Sequence, residues 1–417
     1  MKLRLVVVGG GAAGFFCAVN AARMAPHLNV MLIEKTGKLL SKVLVSGGGR
    51  CNVTHAQFDV VTLSKHYPRG EHFVRKAFYA FGARETVAWF AERGVQLKTE
   101  RDGRMFPVTN SSQTVADCLL SEAQKYGVQI WTGAEVTRIS KEEHFMIDVK
   151  GRQTIAAAFV CIATGGYPKA PMFDWLCSLG HNIEPPVPSL FTFNLPKHPI
   201  TALMGVSVPE VEVKIKGSKR VQKGPVLITH WGLSGPAVLK ESAWGAQQLA
   251  QLNYVFTAVI NWLPQWTGQQ FIHWLQTLRS RQGNKKLYNT TPEGLPARLW
   301  EFLCSESGIG AEQKLATVRG KQADALLKAL LQYEVPVQGK TTFKEEFVTA
   351  GGVHTSEVSH TTYMSKKLPN LFFAGEVLNV DGITGGFNFQ HAWTSGWLAA
   401  KAIAASIYGV ANSRPVE

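Results

Sequence analysis

The apolar positions follow different periods along the chain, and each change of period marks an element. Residues 3–8 form a short run that is apolar but for Arg4, the pattern of a strand buried on both faces of a parallel sheet. Gly9-Gly10-Gly11-Ala12-Ala13-Gly14 follows, then a helical pattern over 13–24 and a second strand over 30–33 that ends at Glu34. Together these make a β-α-β unit of about thirty residues, the usual size. Helical patterns predominate over 73–126, while 128–139, 145–149 and 154–162 read as strands, the last running into Thr164-Gly165-Gly166. Pro185-Pro186-Val187-Pro188 is the clearest punctuation in the chain and a plausible domain boundary. Beyond it, β-branched alternation over 206–215, 226–229 and 254–260 predicts a mainly antiparallel insert, and 271–331 reads as mostly helical. Strand-like sequence returns at 347–353. A last buried strand, 371–374, leads through a glycine-rich turn into a long helix over 388–407.

Composition narrows the class. A chain of 417 residues is long enough for roughly two or three domains, and 45% hydrophobic residues is a globular value. Lys2 and Arg4 before an apolar run resemble a signal peptide, but Gly9, Gly10, Gly11 and Gly14 fit a strand and tight turn better. No apolar stretch reaches the length of a membrane span, so the expectation is a soluble, cytoplasmic protein with no membrane partner. Six scattered cysteines without a CxxC argue against a zinc site or a disulfide framework, and no metal is expected. The net charge of +14 is compatible with nucleic acid or with an anionic cofactor. Its densest cluster, Lys214, Lys216, Lys219, Arg220 and Lys223, alternates with Val and Ile like a half-exposed strand, so a solvated face is preferred over a nucleic-acid site.

Gly9-x-Gly11-x-x-Gly14 is weak evidence alone, but here it follows a buried strand and opens a helix, as dinucleotide binding requires. The first glycine makes the turn, the second admits a pyrophosphate, and the third lets helix pack on strand, with phosphate at the positive helix end. Glu34 lies twenty residues past Gly14, where a carboxylate can accept two hydrogen bonds from ribose hydroxyls and would repel a 2′-phosphate.

Two further glycine-rich stretches favour FAD over NAD. Ser46-Gly47-Gly48-Gly49-Arg50-Cys51-Asn52 exposes backbone N–H groups and, with Lys35 and Lys42 nearby, adds positive charge for a longer cofactor. Gly375-Glu376, Asp381-Gly382 and Gly385-Gly386-Phe387-Asn388 place an acid for ribityl hydroxyls before a helix whose N-terminus can face the flavin N1–C2=O edge. Ala13, Val136, Thr164 and Gly165 complete the predicted cofactor contacts. There is no second G-x-G-x-x-G, so NAD(P)H could act only as a transient co-substrate.

These segments, with Thr229-His230-Trp231-Gly232-Leu233-Ser234-Gly235-Pro236-Ala237, resemble the BaiN-like (YhiN-like) flavoproteins, a family of NAD(P)/FAD-dependent oxidoreductases that includes an aminoacetone oxidase. The resemblance implies an α/β fold: a Rossmann-like, glutathione-reductase-like FAD-binding domain split between 1–188 and 345–417. The expected insert is a β-rich substrate domain over 189–265 and 332–344, carrying a small helical subdomain over 266–331.

For chemistry, His230 and Ser234 are the leading candidates, because glycine-flanked His and Ser on a loop are poorly explained by core packing; the alternative is that they only form the turn. The re-entry segment at Thr349 to His354 and the helical His391 are weaker candidates. Cys51 could be activated by Arg50 and the glycine amides, although most lone cysteines are not. The expected function is hydride transfer between a small organic substrate and flavin N5, with O2 or NAD(P)H completing the cycle. The alternatives are a flavoprotein acting on RNA, as in tRNA modification, and a non-catalytic FAD-binding protein.

Overall fold

The computed structural model describes residues 3–341 and 348–411. The chain forms two compact units, one from 1–188 with 343–417 and one from 189–342. The expected return to the first domain at 345 falls outside the described residues.

In the first unit the strand Arg4–Val8 is paired on both edges, in parallel with Asn29–Ile33 and with Phe159–Ile162, and Leu5, Val6 and Val7 are fully buried. Gln129–Trp131 and Leu371–Phe373 extend the sheet, giving the order 371–373, 159–162, 4–8, 29–33, 129–131. The order reverses at the opening strand, and ligands of open parallel sheets bind beyond the carboxyl ends of the strands at such a point. The opening helix Ala12–Met24 packs against the closing helix Phe387–Ala411. At Gly396 a Cβ would lie 2.6 Å from the Ala13 carbonyl oxygen.

The run 128–139, expected as one strand, is two. Gly133 adopts φ +59° and breaks it, and the N–H groups of Gly133 and Ala134 donate to the carbonyls of Thr36 and Glu34 at 2.9 and 3.0 Å. The second part, Val136–Lys141, joins an antiparallel sheet with Phe145–Val149 and Ile155–Ala157. The prolines at 185, 186 and 188 lie within an extended segment, Ile183–Ser189, paired with Val348–Val353; proline is tolerated there because a two-stranded ladder is all edge.

The second unit is a seven-stranded sheet whose long neighbours are all antiparallel: Tyr333–Gln338, Val255–Asn261, Ser207–Ile215 and Gln222–Thr229. Val211, Val213 and Ile215 point inward in the predicted alternation. The helices Gly268–Gln282, Ala297–Glu306 and Lys321–Leu331 share one apolar core with this sheet, in which Trp262 and Trp300 are fully buried. Trp266 and Trp274 pack against this core half-buried.

Candidate functional site

The three loop glycines differ in what surrounds them. A Cβ on Gly9 would lie 2.2 Å from the Ala163 carbonyl oxygen, and one on Gly14 would lie 1.9 Å from the Gly9 carbonyl oxygen. Neither position has room for a side chain. Gly11 has nothing within 4 Å, so it borders open space where the other two are packed. The helix that starts after Gly11 has no side-chain cap and no acid in its first turn, so its first N–H groups are available to an anion. Ala13 is buried and sets the approach of Gly375, whose Cβ would come within 2.9 Å of the Ala13 methyl.

Glu34 is held before any ligand arrives. One oxygen accepts from Gly10 N at 2.9 Å, the other from Thr36 N and Thr36 Oγ1 at 2.8 Å each. With three of roughly four acceptor directions used, the carboxylate can take one ribose hydroxyl without rearrangement rather than two. Lys35 lies over the Tyr167 ring at 5.8 Å.

The second glycine stretch begins as a helix, Ser41–Gly49, that unwinds at Ser46; Gly47, Gly48 and Gly49 then take φ of +59°, +68° and +80°. Gly48 and Gly49 face open space, as does Gly165. Thr164 lies beside it, and Val136 is half-buried at the start of its strand. The charges expected to face phosphate are committed elsewhere. Arg50 pairs with Glu100 at 2.6 Å and lies over Phe106, and Lys42 pairs with Glu376 at 2.8 Å. Asp381 is fully buried and bound by the Arg69 guanidinium through both oxygens. Burial pushes the Cys51 thiol up to about 12, opposite to the activation considered from its neighbours; a hydrogen bond with Ser46 offsets this only in part.

The third stretch is assembled by side chains from the first. The Asn52 amide, with its oxygen toward Gly386 N at 2.9 Å and its nitrogen toward Thr54 O at 3.0 Å, joins the two loops. Asn388 closes the turn by bonding Gly382 N and O at 2.8 and 2.9 Å, and Tyr67 donates to the Phe387 carbonyl at 2.6 Å. Gly385 and Gly386 have φ of +135° and +91°, and a Cβ on Gly386 would meet the Thr54 carbonyl at 2.6 Å. Thr349 Oγ1 is a buried atom without a partner among the described residues, set against Gly166 and Glu376. Open glycine faces, an uncapped helix start and a preset ribose acid fit a dinucleotide cofactor.

Two histidines missed in the sequence stand at this turn. His55 and His66 are half-buried, and both rings stack on Phe387, at 4.8 Å with 20° and 4.4 Å with 10° between planes. His55 Nε2 lies 3.0 Å from Asp102 O and His66 Nδ1 lies 2.9 Å from Thr62 O. A carbonyl only accepts, so each of these nitrogens carries a proton, leaving His55 Nδ1, which is buried, and His66 Nε2 as the second ring nitrogens. The sequence clue was that His55 sits three residues past Asn52; nothing local marks His66.

His230 and Ser234 belong to the second unit, on the hairpin Gln222–Thr229 to Gly232–Ser234. Thr229 Oγ1 pins the turn to Gly232 N and O, and Gly232 is required because a Cβ there would lie 2.0 Å from the Phe193 carbonyl oxygen. His230 is exposed and edge-on to Trp231. His391 is buried beside Tyr363, and burial lowers it to about 3, so it stays neutral. His354 lies 3.7 Å from Glu184.

The profile of the HI0933-like protein Rossmann domain matches residues 3–402. The chain is 32% identical over 412 residues to a ribosomal RNA dihydrouridine synthase of Escherichia coli, covering 96% of this chain and 98% of that one. It is 30% identical over 414 residues to a 3-dehydro-bile acid delta(4,6)-reductase of Clostridium scindens, covering 96% and 99%. Among solved structures, a 3-ketosteroid-delta4-(5alpha)-dehydrogenase from Rhodococcus jostii shares the fold at a TM-score of 0.51 and 12% identity, over 97% of both chains. Among the described residues no helix is long and apolar enough to cross a membrane. With the Rossmann sheet, the three glycine turns and the profile in agreement over nearly the whole length, the chain belongs to the HI0933-like family of FAD-dependent oxidoreductases.

Proposed function

We propose that this enzyme saturates a carbon–carbon double bond conjugated to a carbonyl, with NAD(P)H as the transient electron donor. The observation that carries this is the stack of His55 and His66 on Phe387, beside the Gly385-Gly386 turn that opens the closing helix. Saturating such a bond needs a hydride at one carbon and a proton at its neighbour. Bound FAD, once reduced, supplies the hydride. The chain supplies the proton: an imidazole can act as a general acid near neutral pH, and His66 Nε2 is the atom that would deliver it. Gly9, Gly11, Ala13 and Gly14 would hold the pyrophosphate, Glu34 the adenosine ribose, and Ser46 to Asn52 with Gly375, Glu376 and Gly385 to Asn388 the flavin half. Both curated relatives are named for reactions in which a double bond is lost, which supports the reading.

RNA as the substrate is a second reading that a specific observation favours. Residues 189–342 carry 17 Lys and Arg against 9 Asp and Glu, an excess suited to a polyanion, and the 32% relative is named for ribosomal RNA. For RNA, His230, exposed in that basic unit, is a candidate contact.

Anaerobic titration with NADH and NADPH tests the first step. Flavin bands should bleach, and the reduced enzyme should then be reoxidised by an unsaturated ketone or by an unmodified ribosomal RNA transcript, with the product gaining two hydrogens. Bands that persist with both nicotinamides but bleach with an amine would mean an oxidase instead.

A further inference from the structure

In the basic cluster visible in sequence two of the five cations are paired, Lys216 with Glu334 at 2.8 Å and Lys223 with Glu212 at 2.7 Å, and Arg220 lies over Trp244. A different one is assembled by chain pairing. The helix Gly268–Gln282 ends at Gly283, and the following segment comes alongside 313–316: Leu287 N donates to Gln313 O, Leu315 N to Lys285 O and Ala316 N to Gly283 O, at 2.9 to 3.1 Å. Lys286 stands opposite Lys314. The Arg279 guanidinium donates to Val318 O, and Arg279 is lowered from its ordinary value first by burial, then by neighbouring Arg319. Residues 279–286 and 314–319 thus bring together Arg279, Arg281, Lys285, Lys286, Lys314 and Arg319, with no acid among these fourteen residues. Glu312 neutralises one of them, Lys286, at 2.6 Å; Arg281, Lys285, Lys314 and Arg319 are exposed with no ion pair among the described residues.

We propose that this face docks the phosphate backbone of a structured RNA, an inference that rests on RNA being the substrate. Gln269, His273, Thr277 and Arg281 follow at four-residue spacing, so one stripe runs about 18 Å along the helix from the basic end to a groove lined by Gln265, Trp266, Gln269, Gln270 and His273. Amides and an indole there can bond to and stack on bases, while the cations bind only phosphate. A lipid surface fits less well, because no large apolar side chain is exposed within 279–286 or 314–319 for insertion.

The test is fluorescence anisotropy of a fluorescein-labelled, uridine-containing RNA hairpin with the flavin-loaded full chain, in rising KCl. The triple variant Arg281→Ala, Lys285→Ala, Lys314→Ala should bind about tenfold more weakly, with a log–log salt slope shallower by about two to three. The pair Lys216→Ala, Lys223→Ala should change binding by less than about twofold. Flavin content and melting temperature serve as fold controls, and the single Lys285→Glu replaces the triple if that fails to fold. Wild-type binding that the triple variant retains unchanged overturns the surface and leaves the RNA reading standing. Failure of the wild type to bind either this hairpin or a ribosomal RNA transcript, while it still reduces an unsaturated ketone, overturns both. Stronger binding to phosphatidylserine vesicles than to RNA, lost in the triple variant, assigns the face to membrane instead.

Discussion

Lys42 and Glu376 stand 334 positions apart, yet their ammonium and carboxylate meet at 2.8 Å. The other Glu376 oxygen accepts from Thr349 N at 2.8 Å. One carboxylate therefore ties the segment after the ribose acid to the returning strand and to the Gly375 turn. The Lys42 side chain is 46% exposed, so the pair adds at most a fraction of a kcal/mol to stability. Its effect is on position. Glu376→Gln should shift the melting temperature by no more than about 3 °C and weaken FAD binding about tenfold. Equilibrium dialysis followed by flavin fluorescence reads this, and unchanged affinity would remove Glu376 from the cofactor site.

The packed and open glycines should separate folding from binding. Gly14→Ala forces a methyl against the Gly9 carbonyl and should cost about 3 kcal/mol or prevent soluble accumulation. Gly11→Ala has space and an ordinary φ of −90°, so it should fold with a near-native melting temperature while losing most bound flavin. If Gly11→Ala retains its flavin, the pyrophosphate does not pass over that residue.

The proton-donor assignment predicts a split between half-reactions. His66→Gln should leave flavin reduction by NAD(P)H within about threefold and slow reoxidation by the unsaturated substrate about a hundredfold. Equal slowing of both halves would mean a positional role.

Cys51 should be inert. Its buried thiol, raised to about 12, holds no thiolate near neutrality, whereas Cys177 is the exposed cysteine of the described residues. Native titration with a disulfide reagent should label Cys177 alone, and peptide mapping that finds Cys51 modified first would contradict this.

Acid should act through Glu357. Burial raises its pKa, but hydrogen bonds from Lys367, Asn182 and His181 outweigh it and lower the carboxyl from 4.5 to about 2. A depressed folded value gives stability that is present above the unfolded value and lost as pH falls from about 4.5 toward 2. Glu357→Gln should flatten that part of the stability curve, measured by denaturant unfolding at stepped pH. A curve as steep as wild type would place the acid sensitivity elsewhere.

What was legible in sequence was contiguous. Gly9 to Gly14 and Glu34 could be read because turn, spacing and acid lie on one β-α-β stretch. The break at Gly133 was hidden, since a single left-handed glycine inside a β-branched run leaves the periodicity intact on both sides. His55 and His66 escaped notice because their common neighbour, Phe387, lies more than 300 positions on. The face at 279–286 and 314–319 escaped because each half alone is a short basic run, and only the pairing of Lys286 with Lys314 makes them one surface.

The strand Leu371–Phe373 lies beside Phe159–Ile162 in the parallel sheet. During synthesis the first unit therefore waits, with one edge of that strand uncovered, until position 373 has cleared the ribosome. The described strands of the second unit lie between 192 and 341, so it can fold in that interval. With the flavin held as proposed, its capture is a late event that awaits the closing helix, and a ribosome stalled inside the second unit leaves a nascent chain without Gly375 to Asn388.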